Sequence, residues 1–114
     1  MSKNILMIGA GSIGSWTSLC LSRTNLFNIF LQDFDIFEEK NLKGQFVTVD
    51  LIGKKKPEAL KILCERFNGY GTITPIIKKF NDGVPAKGKF TLPKDSTFFS
   101  FEVEGKSIKQ IIKN

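Results

Sequence analysis

The sequence contains no histidine and only two cysteines, Cys20 and Cys64, among its 114 residues. Because it has no imidazole and no Cys-x-x-Cys pair, it offers neither a histidine base nor a ligand set for structural zinc. Both cysteines fall within helical patterns, so we interpret them as small core residues rather than as reactive nucleophiles. The sequence therefore predicts no protein metal site and no chemistry that depends on histidine.

A long apolar run is also missing. No run approaches the roughly 20 apolar residues that a membrane-spanning helix needs, and the apolar start of the chain is broken at Gly9, too early for a secretory signal. We therefore expect no membrane partner and a cytoplasmic location. The length fits one domain over residues 1–114, and 41% hydrophobic with 25% charged residues is ordinary for a globular protein.

Arginine is scarce, and lysine carries the positive charge. Fifteen lysines and two arginines, set against eleven acidic residues, give a net charge of +6. The lysines are spread along the chain and do not alternate with aromatic residues, as they do in many nucleic-acid-binding surfaces. We interpret most of them as a solvated surface and expect no nucleic-acid partner. Only the run Lys54-Lys55-Lys56 is dense enough to suggest a specific role.

Hydrophobic periodicity predicts strands that alternate with helices along the chain. The predicted strands are 4–8, 27–33, 72–77 and 97–103, and the predicted helices run from 11 or 12 to 23, from 53 or 57 to 67, and from 106 to 112. Breakers such as Asn81-Asp82-Gly83 predict a loop over 81–95. This order indicates an α/β fold, a Rossmann-like parallel sheet with flanking helices whose second half is incomplete.

Each of the first two predicted helices carries apolar residues at helical spacing, which predicts the face that packs on the sheet. The predicted buried residues are Ile13, Trp16, Leu19 and Cys20 in the first helix, and Leu60, Leu63, Cys64 and Phe67 in the second. Pro57 suits the first turn of the second helix, because an N–H group there has no partner within the helix.

The first strand leads into the glycine-rich turn Gly9-Ala10-Gly11-Ser12-Ile13-Gly14 and then into a helix. Gly9 permits a tight turn, Gly11 lets the backbone approach phosphate oxygens, and Gly14 lets the helix lie close to the strand. Unpaired N–H groups at the start of the helix, that of Ser12 included, then attract an anion together with the helix dipole. The pattern predicts a nucleotide-binding turn; a close-packed glycine turn without a ligand is the alternative.

A carboxylate follows at the end of the second strand. Asp33 stands where an acidic residue accepts hydrogen bonds from both hydroxyls of a ribose, and Asp35 follows as a second candidate for the cofactor site. An ordinary solvated strand end is the alternative for Asp33. Because the glycine turn and this carboxylate fit NAD as well as ATP, NAD is retained as the alternative cofactor.

The residues after the carboxylate narrow the choice of nucleotide. The glycine turn is followed in order by Asp33-Phe34-Asp35, by Asn41-Leu42 with Gln45, and by Gly53 with Lys56 before a helix. This order resembles the ThiF/MoeB and ubiquitin-activating enzyme family, whose pattern is GxGxxG, a strand ending in D-x-D, N-L-x-R-Q, and G-x-x-K at the start of the next helix. The resemblance covers residues 4 to about 67 and is much weaker from 68 to 114.

The resemblance implies a domain that binds ATP, with Mg²⁺ as a further candidate ion, and adenylates the C-terminal carboxylate of a ubiquitin-like or sulfur-carrier protein. It assigns Gly9, Gly11 and Gly14 to the phosphates, Asp33 to the ribose, Asn41 and Gln45 to the triphosphate, and Lys56 to the neutralisation of phosphate charge. Lys54 and Lys55 are expected to be solvated. Cations and oriented donors suit the reaction, because a carboxylate attacks an anionic phosphorus centre.

Two positions depart from the family pattern. The arginine of N-L-x-R-Q falls on Gly44, which has no side chain, and Lys43 beside it supplies charge but no bidentate fork. For the family's magnesium-binding aspartate the nearest candidate is Glu104, with Lys109 matching a later basic residue, and an ordinary surface glutamate is the preferred interpretation of Glu104. The family's later strands and zinc-binding cysteine pairs have no counterpart in these 114 residues.

The resemblance therefore predicts an ATP-binding domain that is inactive or incomplete alone. Three explanations stay open for this: a truncated enzyme, a fragment that is completed by a second copy, as in a homo-oligomer such as a dimer, or by another chain, and a relic that only binds the nucleotide. Two other interpretations stay open. One is a small NAD-binding Rossmann module, and the other is a non-catalytic interaction domain that pairs through an exposed edge of its sheet.

Overall fold

The computed structural model describes residues 3–68, 72–78 and 96–100. Within these residues one parallel sheet contains four strands: β1 (Lys3–Ile8), β2 (Phe27–Gln32), β3 (Ile73–Ile76) and β4 (Ser96–Ser100). Their order across the sheet is β3-β2-β1-β4, so the chain crosses from one outer strand to the other after β3. This reversal puts a topological switch point between β1 and β4, where open α/β sheets bind their ligands.

Two helices and two short 3-10 helices connect these strands. Helix α1 (Gly14–Thr24) joins β1 to β2, and helix α2 (Lys56–Asn68) precedes β3. The 3-10 helices, Glu39–Lys43 and Val49–Leu51, lie in the polar stretch between β2 and α2. The α/β class and the predicted order of elements up to β3 are confirmed. The predictions over 81–95, 101–103 and 106–112 lie outside the described residues.

The main core lies between one face of the sheet and the helices. Alternate residues of β1 and β2 pack there with residues of α2: Ile5, Met7, Ile29, Leu31, Leu60, Leu63 and Cys64. Leu6 and Ile8 are buried as well and point to the opposite face of the sheet. β1 is therefore apolar on both faces, as a central parallel strand is expected to be.

Helix α1 buries a different face from the one that its apolar spacing predicts. Its buried residues are all small: Gly14, Ser15, Ser18 and Ser22. Ile13 is 61% exposed and Trp16 48% exposed, and Cys20 is also exposed, so the prediction that they pack on the sheet is wrong. Leu19 is half-buried against the core. Small side chains let the helix backbone approach the sheet and α2 closely, and this close approach decided the buried face.

Helix α2 largely follows its predicted pattern. It begins at Lys56, so Pro57 occupies its first turn as predicted, and Leu60, Leu63 and Cys64 are buried. Phe67 is 54% exposed, which corrects its predicted place in the buried stripe. Its ring instead lies 5.7 Å from the ring of Phe46 at the surface end of the core. Cys64 is thus a core residue as predicted, whereas Cys20 is not.

The outer strand β3 turns part of its backbone away from the sheet. The N–H groups of Ile29 and Asp33 donate to the carbonyl oxygens of Thr72 and Ile76, so the backbone groups of the alternate residues Ile73 and Pro75 face outward. One of these is Pro75, which has no N–H group to offer a further strand. No helix within the described ranges is long and apolar enough to cross a lipid bilayer.

Candidate functional site

The glycine turn leaves β1 at the carboxyl edge of the sheet. Gly9 has a φ angle of 102°, a left-handed conformation that glycine adopts without strain, and its N–H donates to the carbonyl oxygen of Gln32 at 2.9 Å. The first bond of the following turn runs from the Ser15 N–H to the Gly11 carbonyl oxygen, also at 2.9 Å. The turn is therefore tied to both β2 and the start of α1.

Backbone donors at the start of α1 are free. The N–H groups of Gly11, Ser12 and Ile13 have no hydrogen-bond partner among the residues that the structure describes, and α1 has no side-chain cap. The first N–H groups of a helix lack partners within the helix, and the positive end of the helix dipole lies at the same place. An anion bound here would receive hydrogen bonds directly from the backbone.

Asp33 connects the end of β2 to the glycine turn. Its Oδ2 accepts a hydrogen bond from the Ala10 N–H at 2.8 Å, and its Oδ1 accepts one from the Asp35 N–H at 2.9 Å. These two bonds hold the carboxylate beside the turn. Each carboxylate oxygen can accept a second hydrogen bond, so Asp33 keeps the capacity to bind hydroxyl groups.

The backbone of Asp35 holds the start of α2 against the end of β2. Its carbonyl oxygen accepts the Lys56 N–H at 2.9 Å, while its side chain is exposed. An isolated antiparallel bridge between Ile36 and Lys55 lies alongside this bond. The lysine run is thereby brought next to Asp33, although the two are more than twenty residues apart along the chain.

Lys56 is a buried cation without an anionic partner. Only 7% of the residue is exposed. Its Nζ lies 5.5 Å from the ring centroid of Phe37, and no carboxylate of the described residues forms an ion pair with it. Burying a charge costs free energy unless it is paired, so the surroundings of Lys56 suit a bound anion.

The other two lysines of the run differ from each other. Lys54 is exposed, as predicted. Lys55 is half-buried, its Nζ donates to the Phe34 carbonyl oxygen at 2.9 Å, and it lies 4.0 Å from the centroid of the Phe34 ring. Lys55 therefore uses one of its three ammonium donors in an exposed bond to the backbone between the two aspartates, and the prediction that it is solvated stays a prediction.

The segment after the first 3-10 helix is bound to the start of α1. The Trp16 indole Nε1 donates to the Gly44 carbonyl oxygen at 2.9 Å, and the Phe46 N–H donates to the Ser15 hydroxyl oxygen at 2.9 Å. The centroids of the Trp16 and Phe46 rings lie 5.1 Å apart. Sequence reasoning missed this function of Ser15 and Trp16. An indole N–H needs an acceptor, but nothing in the sequence says which residue supplies it.

Asn41 and Gln45 have different surroundings. The Asn41 Oδ1 accepts the Glu38 N–H at 2.8 Å as part of a capping box that stabilises the 3-10 helix, so its amide oxygen has a structural use. The Gln45 Oε1 is buried and has no hydrogen-bond partner in the described ranges. The prediction that both side chains point at a triphosphate stays a prediction.

Gly44 lies beside the glycine turn. A Cβ atom placed on Gly44 would lie 4.0 Å from the Ser12 hydroxyl oxygen, an ordinary contact distance. Its φ angle of −143° is accessible to any residue. A side chain at position 44 would therefore begin next to the free N–H groups of α1, while the neighbouring Lys43 is exposed.

The fold brings most of the predicted site residues to one edge of the sheet. Gly9, Gly11, Ser12 and Gly14 form the turn and the start of α1, Asp33 contacts that turn, and Asp35 contacts Lys56. Glu104 and Lys109 lie outside the described residues. Within the described part of the chain no group of three or more histidine, cysteine, aspartate or glutamate residues is arranged to hold a metal ion.

Comparison with known proteins gives matches to one family. The model of the ThiF family matches residues 1–100. The E. coli tRNA N6-threonylcarbamoyladenosine dehydratase TcdA is 27% identical, with a TM-score of 0.62 over 68% of this chain. E. coli MccB solved with ATP is 30% identical, with a TM-score of 0.65 over 70% of this chain. No curated protein matches the chain.

The chain spans only part of these structures, with 32% of the TcdA chain and 24% of the MccB chain covered. TcdA has also been solved in complex with AMP, and MccB with MccA. The similarity therefore concerns a part of these enzymes rather than a whole enzyme.

Proposed function

The chain belongs to the ThiF family, and from this premise we propose that it binds ATP at the carboxyl edge of its sheet. The triphosphate lies at the free N–H groups of Gly11 and Ser12 and next to Lys56, and the ribose lies at Asp33. The similarity to MccB, whose structure contains ATP, supports this choice of nucleotide over NAD.

One observation carries the proposal: Lys56 is 7% exposed, begins α2 and has no carboxylate partner in the described residues. An ordinary structural lysine either reaches solvent or pairs with an acid. A bound phosphate supplies the missing negative charge, and the nearby start of α1 supplies backbone donors for its oxygens. The start of α1 follows β1, one of the two strands that flank the switch point of the sheet.

The wider function is adenylyl transfer, as in the family's enzymes. A carboxylate oxygen attacks the α-phosphorus of ATP, a new oxygen–phosphorus bond forms, and the bond to pyrophosphate breaks. We propose the C-terminus of a ubiquitin-like or sulfur-carrier protein as the carboxylate. Because Gly44 offers no guanidinium group, we propose that a second copy of this chain or another chain supplies the cationic groups that the catalytic site lacks. The proposed location of the reaction is the cytoplasm.

Calorimetric titration of the chain with ATP, with and without Mg²⁺, and with NAD tests the proposal. We expect ATP to bind more tightly than NAD. Replacing Lys56 by methionine should weaken ATP binding by roughly 10- to 100-fold, since hydrogen bonds to charged groups contribute about 1.5–3 kcal/mol.

The matched control is Lys54→Met, which removes a neighbouring exposed charge and should change the affinity less than threefold. Equal losses in the two variants would show a general charge effect rather than a phosphate contact at Lys56. Tighter binding of NAD than of ATP would contradict the proposal and favour the alternative, a small NAD-binding module.

A further inference from the structure

Gln32 lies at the candidate site but is not among the site residues that the sequence predicts. It is the last residue of β2, lies immediately before Asp33, and is only 2% exposed. Its register partners are Ile8 of β1 and Ile76 of β3, so it stands in the middle of the carboxyl edge. A polar side chain is costly at such a buried position unless all of its groups are bonded.

One end of the Gln32 side chain is bonded and the other is not. The Nε2 donates to the Lys78 carbonyl oxygen at 3.3 Å, just beyond the end of β3. Because only the NH₂ end of an amide can donate to a carbonyl oxygen, this bond also fixes which end is which. The remaining acceptor, Oε1, is buried and has no hydrogen-bond partner among the residues that the structure describes.

We propose that Gln32 is the residue that recognises the base, with Oε1 accepting a hydrogen bond from the 6-amino group of adenine. The inference rests on the ATP binding proposed above and adds a specificity to it. Phosphates at the turn after β1 and a ribose at Asp33 after β2 direct the base onward toward β3. The Gln32 side chain reaches in that same direction, to Lys78.

The chemistry of the purines decides the preference. Adenine carries a donor at position 6, whereas guanine and hypoxanthine carry a carbonyl oxygen there, which would face the Gln32 oxygen with no hydrogen between them. A site that leaves a buried polar group unpaired rejects the wrong ligand effectively. The geometry therefore favours ATP over GTP and over inosine triphosphate.

The other two buried unpaired atoms of the described residues are placed less well for a base. The Thr72 hydroxyl lies at the beginning of β3, at the opposite edge of the sheet. The Gln45 Oε1 belongs to the segment that is bound to the start of α1, on the phosphate side. Gln32 alone among the three adjoins the ribose position on the side of β3.

Binding of ATP and of inosine triphosphate to the unaltered chain, measured by calorimetry, is the first test. The two ligands share ribose and triphosphate and differ at position 6 of the base. We expect ATP to bind roughly tenfold more tightly, the ratio that one net hydrogen bond produces. Equal affinities would overturn the assignment of Gln32 and leave the proposed ATP binding standing.

The variant Gln32→Leu is the second test, with Phe30→Leu as a matched control on the same face of β2. In Gln32→Leu the preference for ATP should fall to near one while the affinity for inosine triphosphate stays within threefold. Phe30→Leu should keep the preference. A Gln32→Leu chain that still prefers ATP tenfold overturns the inference. Failure of the unaltered chain to bind either triphosphate overturns the proposed function as well.

Discussion

At the scale of single residues, the site depends on side chains whose partners are distant in sequence. Asp33 binds the backbone of the glycine turn, and the buried Lys56 lies at the start of α2 with no ion pair to an acid of the described residues. Gly44 lies next to the same turn and contributes only its backbone. The surroundings of all three positions are therefore formed by residues that are distant from them in sequence.

Replacing Gly44 by arginine is expected to strengthen ATP binding roughly tenfold. The backbone at position 44 accepts a side chain, and a guanidinium group starting beside Ser12 can form paired hydrogen bonds to phosphate oxygens. Calorimetric titration of the variant measures the gain. Gly44→Gln, which is similar in reach but uncharged, is the control, and an equal gain in both variants would rule out the charge as its cause.

The two thiols are expected to react at very different rates. Burial raises the pKa of the Cys64 thiol, and the residue is 1% exposed, whereas Cys20 is exposed. Because the thiolate is the reactive form, Cys64 stays unreactive at pH values where Cys20 is modified. A thiol-reactive dye at pH 8 should therefore label one cysteine in the native chain and both after unfolding. Labelling of Cys64 in the native chain would contradict the buried placement.

At the scale of elements, α1 shows how packing chooses a face. The apolar residues Ile13 and Trp16 are exposed, and four small residues form the buried side. The hydroxyls of Ser18 and Ser22 donate to the carbonyl oxygens of Ser15 and Leu19 one turn earlier, so these polar groups are bonded within the helix on the side that is buried. Trp16 turns its indole outward to the Gly44 carbonyl oxygen and thereby positions the segment beside the site.

A larger residue on the buried side of α1 should destabilise the fold. Ser18 is fully buried, so Ser18→Leu forces the helix away from α2 and is expected to lower the free energy of unfolding by about 1–3 kcal/mol. Cys20→Leu on the exposed side of the same helix should change it by less than about 0.5 kcal/mol. Denaturant unfolding of the two variants measures the difference. Similar losses in both would contradict the observed face.

At the scale of the whole molecule, three properties bear on the proposed function: the net charge, the share of the matched structures that the chain covers, and the outer edge of the sheet. The net charge of +6 favours an anionic ligand. The matched structures are three to four times as long as the region they share with this chain, since 32% of TcdA and 24% of MccB are covered. The outer strand β3 carries Pro75, which weakens the alternative of a domain that pairs through this edge.

The affinity for ATP is expected to fall as salt is added. Charges on the protein surface attract the triphosphate over distances that about 0.1 M salt already screens, with a screening length of about 10 Å. Titrations between 50 and 500 mM sodium chloride should show a steady weakening, whereas binding of uncharged adenosine should not change. An ATP affinity that is independent of salt would argue against an electrostatic site.

Catalysis by these 114 residues alone is expected to be absent. The chain should bind ATP weakly and show no carrier-dependent exchange between ATP and pyrophosphate, because position 44 supplies no guanidinium group and the rest of a full-length relative is not present in this sequence. A radioactive exchange assay with candidate carrier proteins tests this. Robust exchange would show that the 114 residues suffice.

The sequence by itself determined the strand and helix order, the glycine turn, the position of Asp33 at a strand end and that of Lys56 at a helix start. These features follow from local patterns: apolar periodicity, glycine spacing and proline in a first helical turn. Glu104, Lys109 and the elements predicted beyond β4 lie outside the described residues and stay predictions.

Only the tertiary structure decided which face α1 buries, which lysine of the run is buried, and that the Gln32 Oε1 at the sheet edge is unpaired within the described part of the chain. Each of these depends on the distance between elements that are remote in the chain. Small serines are buried because α1 approaches α2 closely, and the Lys55 ammonium group donates to the carbonyl oxygen of Phe34, which lies just after the end of β2. Sequence periodicity describes one element at a time and therefore contains no information about such distances.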